Sequence, residues 1–528
     1  MGEVWIRIVA SLVTACLFCI CTFQSLGAMQ QAGYKNGGFW RWLKRKGNLY
    51  FNRLAVFALC IALSTTVVSL CFSFLGARWA LVCSSAPFFA LTFLFLAADS
   101  KYALKVQVKR TGRVKRLFAA YLLLTACTAY ILIAVLYFLA KWNGSELYAL
   151  VAYAPFAVLP ILLPLLLCLA NAITGVFENA KNRKFVKRAG QVLGETKITR
   201  VAIVGSYGKT SIKNILFTLL SEKYAAVETP ASYNTPIGIA KTVFSDDFEE
   251  KELFIAEMGA RKRGDIEELC RLVKPDYAIF TGVCEQHIQT FGSLDGVWAE
   301  KSKIFDFAKT VVCGESLRDR ASGFENACFV GGELKDVELK ATETAFTLCI
   351  GGQEKRITVK LLGNAAVENI SLAVALCVRL GLTADEIARG LEKLEPVAHR
   401  LQLIENGGVY ILDDGYNCNP RGAKEGVAAL ARFSGRKCIV TPGIVECGVL
   451  EESINEELGT EIAAAGLDKV ILIGDTLVGA VKAGYESAGG DKEKLTVARS
   501  LDLAKEELSK WIQAGDAVLF LNDLPDVY

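Results

Sequence analysis

The chain has 528 residues, which is too long for one hydrophobic core and suggests about three domains. Hydrophobic residues make up 52% and charged residues 22%, but the first third is much more apolar and contains almost no acidic residue. The net charge of +4 arises from basic residues between apolar runs and not from one basic face, so nucleic acid is not an expected partner.

The 17 cysteines fall into two groups. Eight lie in the apolar third, where a thiol behaves as a small hydrophobic group, and nine are scattered without pairing rhythm, which indicates a reducing cytosol. Cys16 and Cys19 form a C-x-x-C, but no histidine or second pair accompanies them. The pattern therefore does not predict a zinc site.

The apolar third contains five nearly uncharged stretches, each long enough to cross the hydrocarbon core of a membrane. They lie near residues 8–28, 54–76, 79–98, 118–140 and 149–171. We therefore predict a transmembrane domain of about five helices over residues 1–175. The first stretch could instead be a signal peptide, because Arg7 precedes it and small residues follow at 25–28.

Two loops between these stretches are strongly basic, at residues 35–53 and 101–116, whereas the other connections are nearly neutral. The positive-inside rule places both basic loops in the cytoplasm. The N-terminus is then outside, and the chain after the fifth helix is cytoplasmic. We expect a multi-pass protein of the inner membrane with its catalytic domains on the cytoplasmic side.

The residues after the last apolar stretch change in character. A basic run at 181–188 predicts a juxtamembrane linker, residues 176–197, that is attracted to anionic membrane lipid. From Ile198 onward, short β-branched runs alternate with helical patterns, which is typical of βαβ units around a parallel sheet. The fold class is α/β, with a central phosphate-loop domain at 198–398 and a C-terminal Rossmann-like domain at 399–528.

A phosphate-binding loop follows the apolar run Val201 to Val204 and precedes a helical pattern. Phosphate oxygens require convergent backbone N–H groups, a helix N-terminus and a cation, and this arrangement supplies all three. The Thr210 hydroxyl is free to bind Mg²⁺. The loop consists of seven residues: Gly205, Ser206, Tyr207, Gly208, Lys209, Thr210 and Ser211.

The loop resembles the G-[ST]-x-G-K-T-[ST] of the Mur ligase family, and further segments follow in that family's order. The chain looks most like the members that add D-alanyl-D-alanine to a muramoyl tripeptide. The matching segments are Thr229–Gly238, the E-x-G at Glu257, His287 with its Phe291-Gly-Ser tail, the lysine motif Ala299–Phe305, the hinge His399–Leu401, and Asp413–Pro420 in place of D-D-S-Y-N-A-N-P.

The resemblance implies an ATP-dependent ligase that requires Mg²⁺. Lys209 would neutralise the β- and γ-phosphates, and Thr210 and Glu257 would share one metal ion. His287 would bind a second metal ion, and Lys301 would be the family's carbamylated lysine. Asn234, in the segment after the first helix, would contact substrate.

The resemblance also assigns roles in the C-terminal half. Arg400 would approach the phosphates when the last domain closes, and Asp414 would hold the ribose. The family's G-x-H-N-x-x-N segment departs here, because Ala365 and Ala366 replace its histidine and asparagine. Asn369 alone matches among the expected adenine contacts.

The family's N-terminal domain, which grips a UDP-sugar, has no counterpart in the sequence, and the apolar stretches take its place. A soluble UDP-muramoyl peptide could be held by the remaining domains, or a lipid-linked carboxylate could have its tail held by the helices. The helices could also serve only to localise the enzyme. The amine would be D-Ala-D-Ala or an amino acid.

The principal hypothesis is peptide ligation through an acyl phosphate in peptidoglycan precursor synthesis. The alternative within the family is a ligase for a lipid-linked precursor or a poly-γ-glutamate-type polymer. A transporter or sensor driven by a nucleotide-binding domain is a different class, disfavoured because the spans contain no intramembrane acid or obvious repeat.

Overall fold

The structure is a computed structural model of the whole chain, and it describes residues 2–44, 50–72, 77–99, 108–143, 154–245, 248–285, 288–416, 418–445, 447–474 and 477–521. The chain divides into two compact units. Among the described residues, the first comprises those from 2 to 181 and the second those from 182 to 521.

The described part of the first unit is helical, as the long apolar stretches predict. Its helices are Gly2–Cys21 (α1), Phe23–Gln31 (α2), Asn36–Lys44 (α3), Tyr50–Phe72 (α4), Ala77–Asp99 (α5), Gly112–Asn143 (α6) and Ala154–Glu195 (α7), the last of which extends into the second unit.

Three of these helices contain a described segment long and apolar enough to cross a membrane: Tyr50–Val68, Gly112–Val135 and Val158–Glu195. The pair Arg7–Cys21 and Phe23–Gln31 would supply a fourth span, although it is bent by 54°. The third predicted span lies on α5, where the apolar segment found is only Ala86–Phe95. The described residues thus support three or four candidate spans, and the number five stays a prediction.

Aromatic packing holds the helices of the first unit together. Phe18 of α1 packs edge-on against Phe57 of α4 and Phe88 of α5, with ring centroids 6.0 and 5.9 Å apart. The hydroxyl of Thr22 lies 2.8 Å from that of Tyr121 on α6, which pairs two buried polar groups. Satisfied polar groups of this kind cost little inside an apolar bundle.

The residues predicted as a juxtamembrane linker are helical up to Glu195, because α7 continues through them. Ala189 and Leu193 on this helix are buried in the apolar core that covers one face of the central sheet. The end of α7 is therefore packed as part of the second unit.

The central domain is built on a six-stranded sheet of order β2-β3-β1-β4-β5-β6, in which all pairs are parallel. Alternate residues of β1 face opposite sides of the sheet. Ala202 and Val204 are buried in the apolar core on one side, and Val201 and Ile203 are buried in the core on the other side. The strands are Thr199–Val204 (β1), Ala226–Glu228 (β2), Leu253–Glu257 (β3), Tyr277–Phe280 (β4), Thr310–Cys313 (β5) and Ala327–Phe329 (β6).

Helices cover both faces of this sheet, which explains why its strands are mostly apolar. They are Lys209–Leu220 (α8), Pro236–Val243 (α9), Asp265–Val273 (α10), Ile288–Phe291 (α11), Leu294–Lys301 (α12), Arg318–Ala321 (α13), Gly363–Arg379 (α14) and Ala384–Glu392 (α15). A small antiparallel sheet, which the sequence did not lead us to predict, consists of Leu334–Leu339 (β7), Thr344–Ile350 (β8) and Gln353–Val359 (β9).

The C-terminal domain has a second six-stranded sheet, of order β10-β11-β15-β12-β13-β14, and only β10 is antiparallel to its neighbour. Its strands are Gln402–Asn406 (β10), Val409–Asp414 (β11), Lys437–Thr441 (β12), Lys469–Ile473 (β13), Leu495–Ala498 (β14) and Ala517–Leu521 (β15). Its helices are Pro420–Ala431 (α16), Glu451–Ala464 (α17), Val478–Ser487 (α18) and Leu501–Trp511 (α19). The α/β fold predicted for both domains is confirmed.

Candidate active site

The phosphate loop joins β1 to α8, as predicted. Gly208 caps α8 with a φ of 71°, and Gly205 has a φ of 152°, so both adopt backbone conformations that favour glycine. A Cβ atom on Gly205 would lie 1.8 Å from the Thr281 hydroxyl, and one on Gly208 would lie 2.6 Å from the Asn369 Oδ1. The loop is therefore a tight backbone turn in contact with β4 and α14.

Two lysines converge on one backbone oxygen of this loop. Lys209 Nζ donates to the Gly205 carbonyl at 2.9 Å, and Lys301 Nζ donates to the same oxygen at 2.8 Å. Burial lowers the pKa of Lys209, while the nearby Glu257 carboxylate opposes this shift. Lys209 and Lys301 are far apart in sequence, and their contact with the same oxygen places the predicted lysine motif beside the phosphate loop.

Lys301 differs from an ordinary lysine in its burial. Its side chain is 1% exposed at the end of α12. Burial, followed by the positive charge of Lys209, lowers the pKa of Lys301 to about 7. The lowered pKa favours the neutral amine near neutral pH, and only the neutral amine can react with CO₂.

Glu257 ends β3 at the centre of a hydrogen-bonded group. Its two carboxylate oxygens accept one bond each, from the Thr210 hydroxyl at 2.9 Å and from the Asn234 side-chain amide at 3.0 Å. The carboxylate is 1% exposed. The predicted metal residues Thr210 and Glu257 and the predicted substrate residue Asn234 therefore lie together.

This group offers the oxygen ligands that Mg²⁺ prefers. The part of the chain that the structure describes contains no cluster of three or more His, Cys, Asp or Glu side chains able to hold a metal. An ion at Glu257 would therefore depend on the Thr210 hydroxyl, phosphate oxygens and water, which is a common arrangement for Mg²⁺. His287, predicted as a ligand of a second metal, lies outside the described residues.

Ser206 provides a separate indication of a ligand. Its side chain is 2% exposed, and its hydroxyl makes no hydrogen bond with the described residues. Buried hydroxyl groups are normally paired, so this position fits a bound acceptor such as a phosphate oxygen. The residues present at the loop thus fit a nucleotide polyphosphate with Mg²⁺.

A cleft of about 140 Å³ lies between the central and C-terminal domains. Six of the predicted residues line it: Tyr207, Gly208, Ser211, Asn369, Arg400 and Asp414. Ala365 and Ala366 line it too, so the two positions where the chain departs from the family motif face the same space. The phosphate loop and the C-terminal motif therefore form one site.

Asp414 and Arg400 lie on the C-terminal side of the cleft. Burial raises the pKa of Asp414 to about 6, whereas the Arg400 guanidinium and the hydrogen bond from Leu401 N, 3.1 Å long, oppose the shift. Arg400 donates to the Tyr416 carbonyl at 2.9 Å and lies 4.7 Å from the centre of that ring. Its guanidinium also lies close enough to Lys209 to lower the pKa of that lysine.

The connection between the two domains has an unusual backbone. His399 and Leu401 have φ values of 61° and 47°, in the left-handed region that side chains of this size rarely adopt. A ring nitrogen of His399 lies 2.7 Å from the Asp413 carboxylate. The predicted hinge at Arg400 is thus held in one strained conformation by neighbours in the C-terminal domain.

Four residues near the site escaped the sequence analysis. Arg421 and Glu368 line the cleft and form an ion pair. Lys213, 2% exposed, donates to the carbonyls of Thr229 and Ala231. The fourth, Glu228, is discussed below. Arg421 directly follows the Asn419-Pro420 pair, and Lys213 lies one helical turn after Lys209. Their closeness in sequence to a predicted motif is the only feature of the sequence that could have identified these two residues.

Glu228 ends β2 near the Glu257 carboxylate. Its Oε2 is buried and makes no hydrogen bond with the described residues. Burial raises the pKa of Glu228, the Lys213 ammonium opposes the shift, and the charge of Glu257 adds to it. The carboxyl groups of Glu228 and Glu257 and the ammonium of Lys213 therefore lie close to one another.

Family profiles match both domains of the second unit. Residues 203–377 match the Mur ligase middle domain, and residues 399–522 match the Mur ligase glutamate ligase domain. Together these segments make up more than half of the chain.

Curated relatives carry the same assignment. The UDP-N-acetylmuramoyl-tripeptide–D-alanyl-D-alanine ligase of Bacillus subtilis is 29% identical over 337 residues, which cover 61% of this chain and 72% of the relative. The enzyme of that name from Escherichia coli is 28% identical, and the match spans 64% of its length. The crystal structure of the MurF ligase from Thermotoga maritima in complex with ADP is similar at a TM-score of 0.58 and 26% identity, over 65% of this chain and 80% of that one.

The two α/β domains, the phosphate loop and the lysine pair beside it define an ADP-forming acid–amino-acid ligase. The chain belongs to the Mur ligase family. The resemblance stated from the sequence motifs is confirmed.

Proposed function

We propose that this chain joins the carboxylate of a muramoyl peptide to an amine, D-Ala-D-Ala or a related one, at the expense of ATP. The reaction would proceed through an acyl phosphate and would contribute to peptidoglycan precursor synthesis. The observation that carries the proposal is the meeting of Lys209, Lys301 and the Thr210–Glu257–Asn234 group around the phosphate loop.

The first step needs an acceptor carboxylate near a terminal phosphate whose charge is neutralised. A carboxylate oxygen of the acyl substrate forms a bond to the γ-phosphorus, and the bond from that phosphorus to the ADP oxygen breaks. Lys209 supplies positive charge beside the phosphates, and backbone N–H groups at the start of α8 would donate hydrogen bonds to the phosphate oxygens. Bound Mg²⁺, held by Thr210 and Glu257, would neutralise the charge that develops on the phosphate oxygens.

In the second step the amine nitrogen bonds to the acyl carbon, inorganic phosphate leaves with the electron pair of the C–O bond, and the nitrogen loses a proton. Asn234 would orient the substrate, and the hydrogen bond from its amide to the Glu257 carboxylate supports this role. Closure of the C-terminal domain, through the hinge at Arg400, would exclude water that could otherwise hydrolyse the acyl phosphate.

Lys301 fits the carbamylation that the family resemblance implies. Carbamate formation joins the nitrogen of the neutral lysine amine to CO₂ and releases one proton, which converts the neutral amine into an anionic group. The reaction requires a neutral amine, and the lowered pKa of Lys301 supplies one. A carboxylate on Lys301 would add an oxygen ligand near the metal. Such a ligand would be useful because the described residues contain no cluster of three or more His, Cys, Asp or Glu side chains.

The choice of acyl and amine substrates is drawn from the relatives. Proteins similar to this chain are named for the ligation of D-alanyl-D-alanine to a UDP-N-acetylmuramoyl tripeptide. The candidate membrane spans at the N-terminus favour a second possibility, a lipid-linked acyl substrate whose tail enters the bilayer. A membrane anchor for a soluble UDP-linked substrate would need only one of these spans.

The test uses the full chain purified in detergent with ATP and Mg²⁺. UDP-muramoyl tripeptide plus D-Ala-D-Ala should yield ADP, phosphate and the pentapeptide product, and the lipid-linked form of the same peptide is tested in parallel. Lys209→Ala serves as the control without phosphate neutralisation. If no muramoyl peptide in either form supports ADP release, the proposal is rejected, and a screen of other amines and poly-γ-glutamate acceptors follows.

We also propose that the protein resides in the inner membrane, with the second unit in the cytoplasm and the N-terminus outside. The support is the set of three apolar helices and the basic residues in the connections between apolar stretches. Reporter fusions at residue 1 and residue 528 should give an external and a cytoplasmic signal respectively. Two cytoplasmic signals would contradict the proposed topology.

A further inference from the structure

The phosphate loop is contacted by a side chain of the C-terminal domain that has no place in the mechanism above. Arg421 occupies the first turn of α16, whose start is fixed by the Asn419 side chain accepting from Gly422 N at 2.9 Å. The N-cap and Pro420 give this helix start one geometry. The guanidinium is therefore presented toward the cleft from a rigid element.

The Arg421 guanidinium contacts two groups of the central domain. It donates to the Tyr207 hydroxyl at 2.6 Å and lies 4.6 Å from the centre of the Tyr207 ring. It also forms a two-oxygen ion pair with Glu368 of α14. Arginine suits this arrangement because its planar group can stack on a ring and bind a carboxylate at the same time.

Tyr207 belongs to the phosphate loop and packs against the residues that follow β4. Its carbonyl accepts from the Thr281 hydroxyl at 2.6 Å. Its ring lies so close to Gly282 that a Cβ atom there would be 1.9 Å from the tyrosine oxygen. Because Tyr207 lies between Gly205 and Gly208, a contact that fixes its side chain also restricts the backbone of the loop.

We propose that Arg421 is a positioning residue that couples closure of the C-terminal domain to the geometry of the phosphate loop. The coupling runs through Tyr207, while Glu368 orients the guanidinium. This role differs from that of Arg400, which is held by Tyr416 of its own domain. The inference rests on the proposed function in one respect, namely that the cleft binds ATP.

An exposed ion pair without function is the competing explanation. The side chains of Arg421 and Glu368 are 31% and 50% exposed, so their mutual attraction is screened by solvent. The contact with Tyr207 is different, because it reaches the phosphate loop itself and combines a hydrogen bond with a cation–π interaction. The two explanations predict different results for nucleotide binding.

The experiment measures the dissociation constant for ADP by calorimetry on the full chain in detergent, without acyl or amine substrate. Arg421→Ala should weaken ADP binding about tenfold, since one charge-assisted bond and one cation–π contact are lost. Arg421→Lys should recover only part of this loss. Lys424→Ala is the matched control, because Lys424 lies on the same helix and pairs with the surface residue Glu461.

A double-variant cycle separates coupling from general damage. If Arg421 acts through Tyr207, Arg421→Ala combined with Tyr207→Phe should weaken ADP binding little more than Arg421→Ala alone. A donor and acceptor dye on the two domains should also report reduced closure by ADP in the arginine variant. If instead Arg421→Ala binds ADP within twofold of the parent, or the two losses add in full, Arg421 has no positioning role.

Because the titration uses ADP alone, its outcome is independent of the ligation assay. If ADP binding depends on Arg421 but the chain forms no amide, the proposed reaction is rejected and this inference is retained. If Arg421→Ala fails to fold, Arg421→Lys and Glu368→Gln provide the comparison, and both should weaken ADP binding.

Discussion

Lys209 and Lys301 donate to the same oxygen, the carbonyl of Gly205, at 2.9 and 2.8 Å. Two ammonium groups this close repel each other, and the buried member loses its proton more easily. Burial lowers the pKa of both lysines, and the added charge of Lys209 brings the pKa of Lys301 to about 7, which suits the Lys301 amine to reaction with CO₂.

Replacement of Lys209 by alanine should reduce ADP release by at least about 100-fold, because a cation beside the transferred phosphate is removed. The measurement is coupled ADP detection on the purified full chain. Lys274→Ala changes an exposed lysine outside the site and should leave the rate unchanged. An unimpaired Lys209→Ala enzyme would contradict the assigned role.

Lys301→Ala should abolish ligation, and a short carboxylic acid in the assay should restore part of it by supplying the missing carboxylate. Acetate or formate can be titrated from low concentration, with chloride at equal ionic strength as the control. A transporter or sensor would show no such rescue. Equal rates with acetate and chloride would count against a carbamylated lysine.

Activity at limiting bicarbonate should rise as the pH increases through about 7. The pKa of Lys301 is lowered to about 7, so the amine is protonated and unreactive below that value and neutral above it. The activity of an enzyme first saturated with CO₂ should depend less on pH in the same range. Identical pH profiles at low and high bicarbonate would argue against this assignment.

The apparent KM for ATP should increase as the pH falls below about 6. Burial raises the pKa of Asp414 to about 6, so the carboxylate is the main form above this value and the neutral acid the main form below it. Loss of the charge removes an acceptor for the ribose hydroxyls. Asp414→Asn should have the high KM at every pH, and a steep pH dependence in that variant would point to another group.

Lys213→Met should lower the free energy of unfolding by about 2 to 4 kcal/mol, since the carbonyls of Thr229 and Ala231 would lose their partner in a buried site. These carbonyls belong to the segment that leads to Asn234, so substrate KM should rise too. Denaturant unfolding of the full chain gives the first value. Lys241→Met on a nearby exposed position serves as the control.

Much of the site could be predicted because its parts are local in sequence. The run Gly205–Ser211 has the glycines, the cation and the helix start within seven residues, and Asp413–Pro420 is equally continuous. The apolar helices were recognisable from hydrophobicity alone, and the described residues support three or four candidate spans among them. Local patterns determine which elements form and which chemistry each one carries.

The tertiary structure alone decided which of these parts meet. Lys301 reaches Gly205 across 96 residues, and Arg421 reaches Tyr207 across 214. These contacts depend on the order of strands in the sheet and on the closure of one domain over another, and neither follows from residue spacing. Sequence by itself thus determined the family, the motifs and the apolar helices. The shared carbonyl, the depressed lysine pKa and the Arg421 contact emerged only when distant segments were packed together.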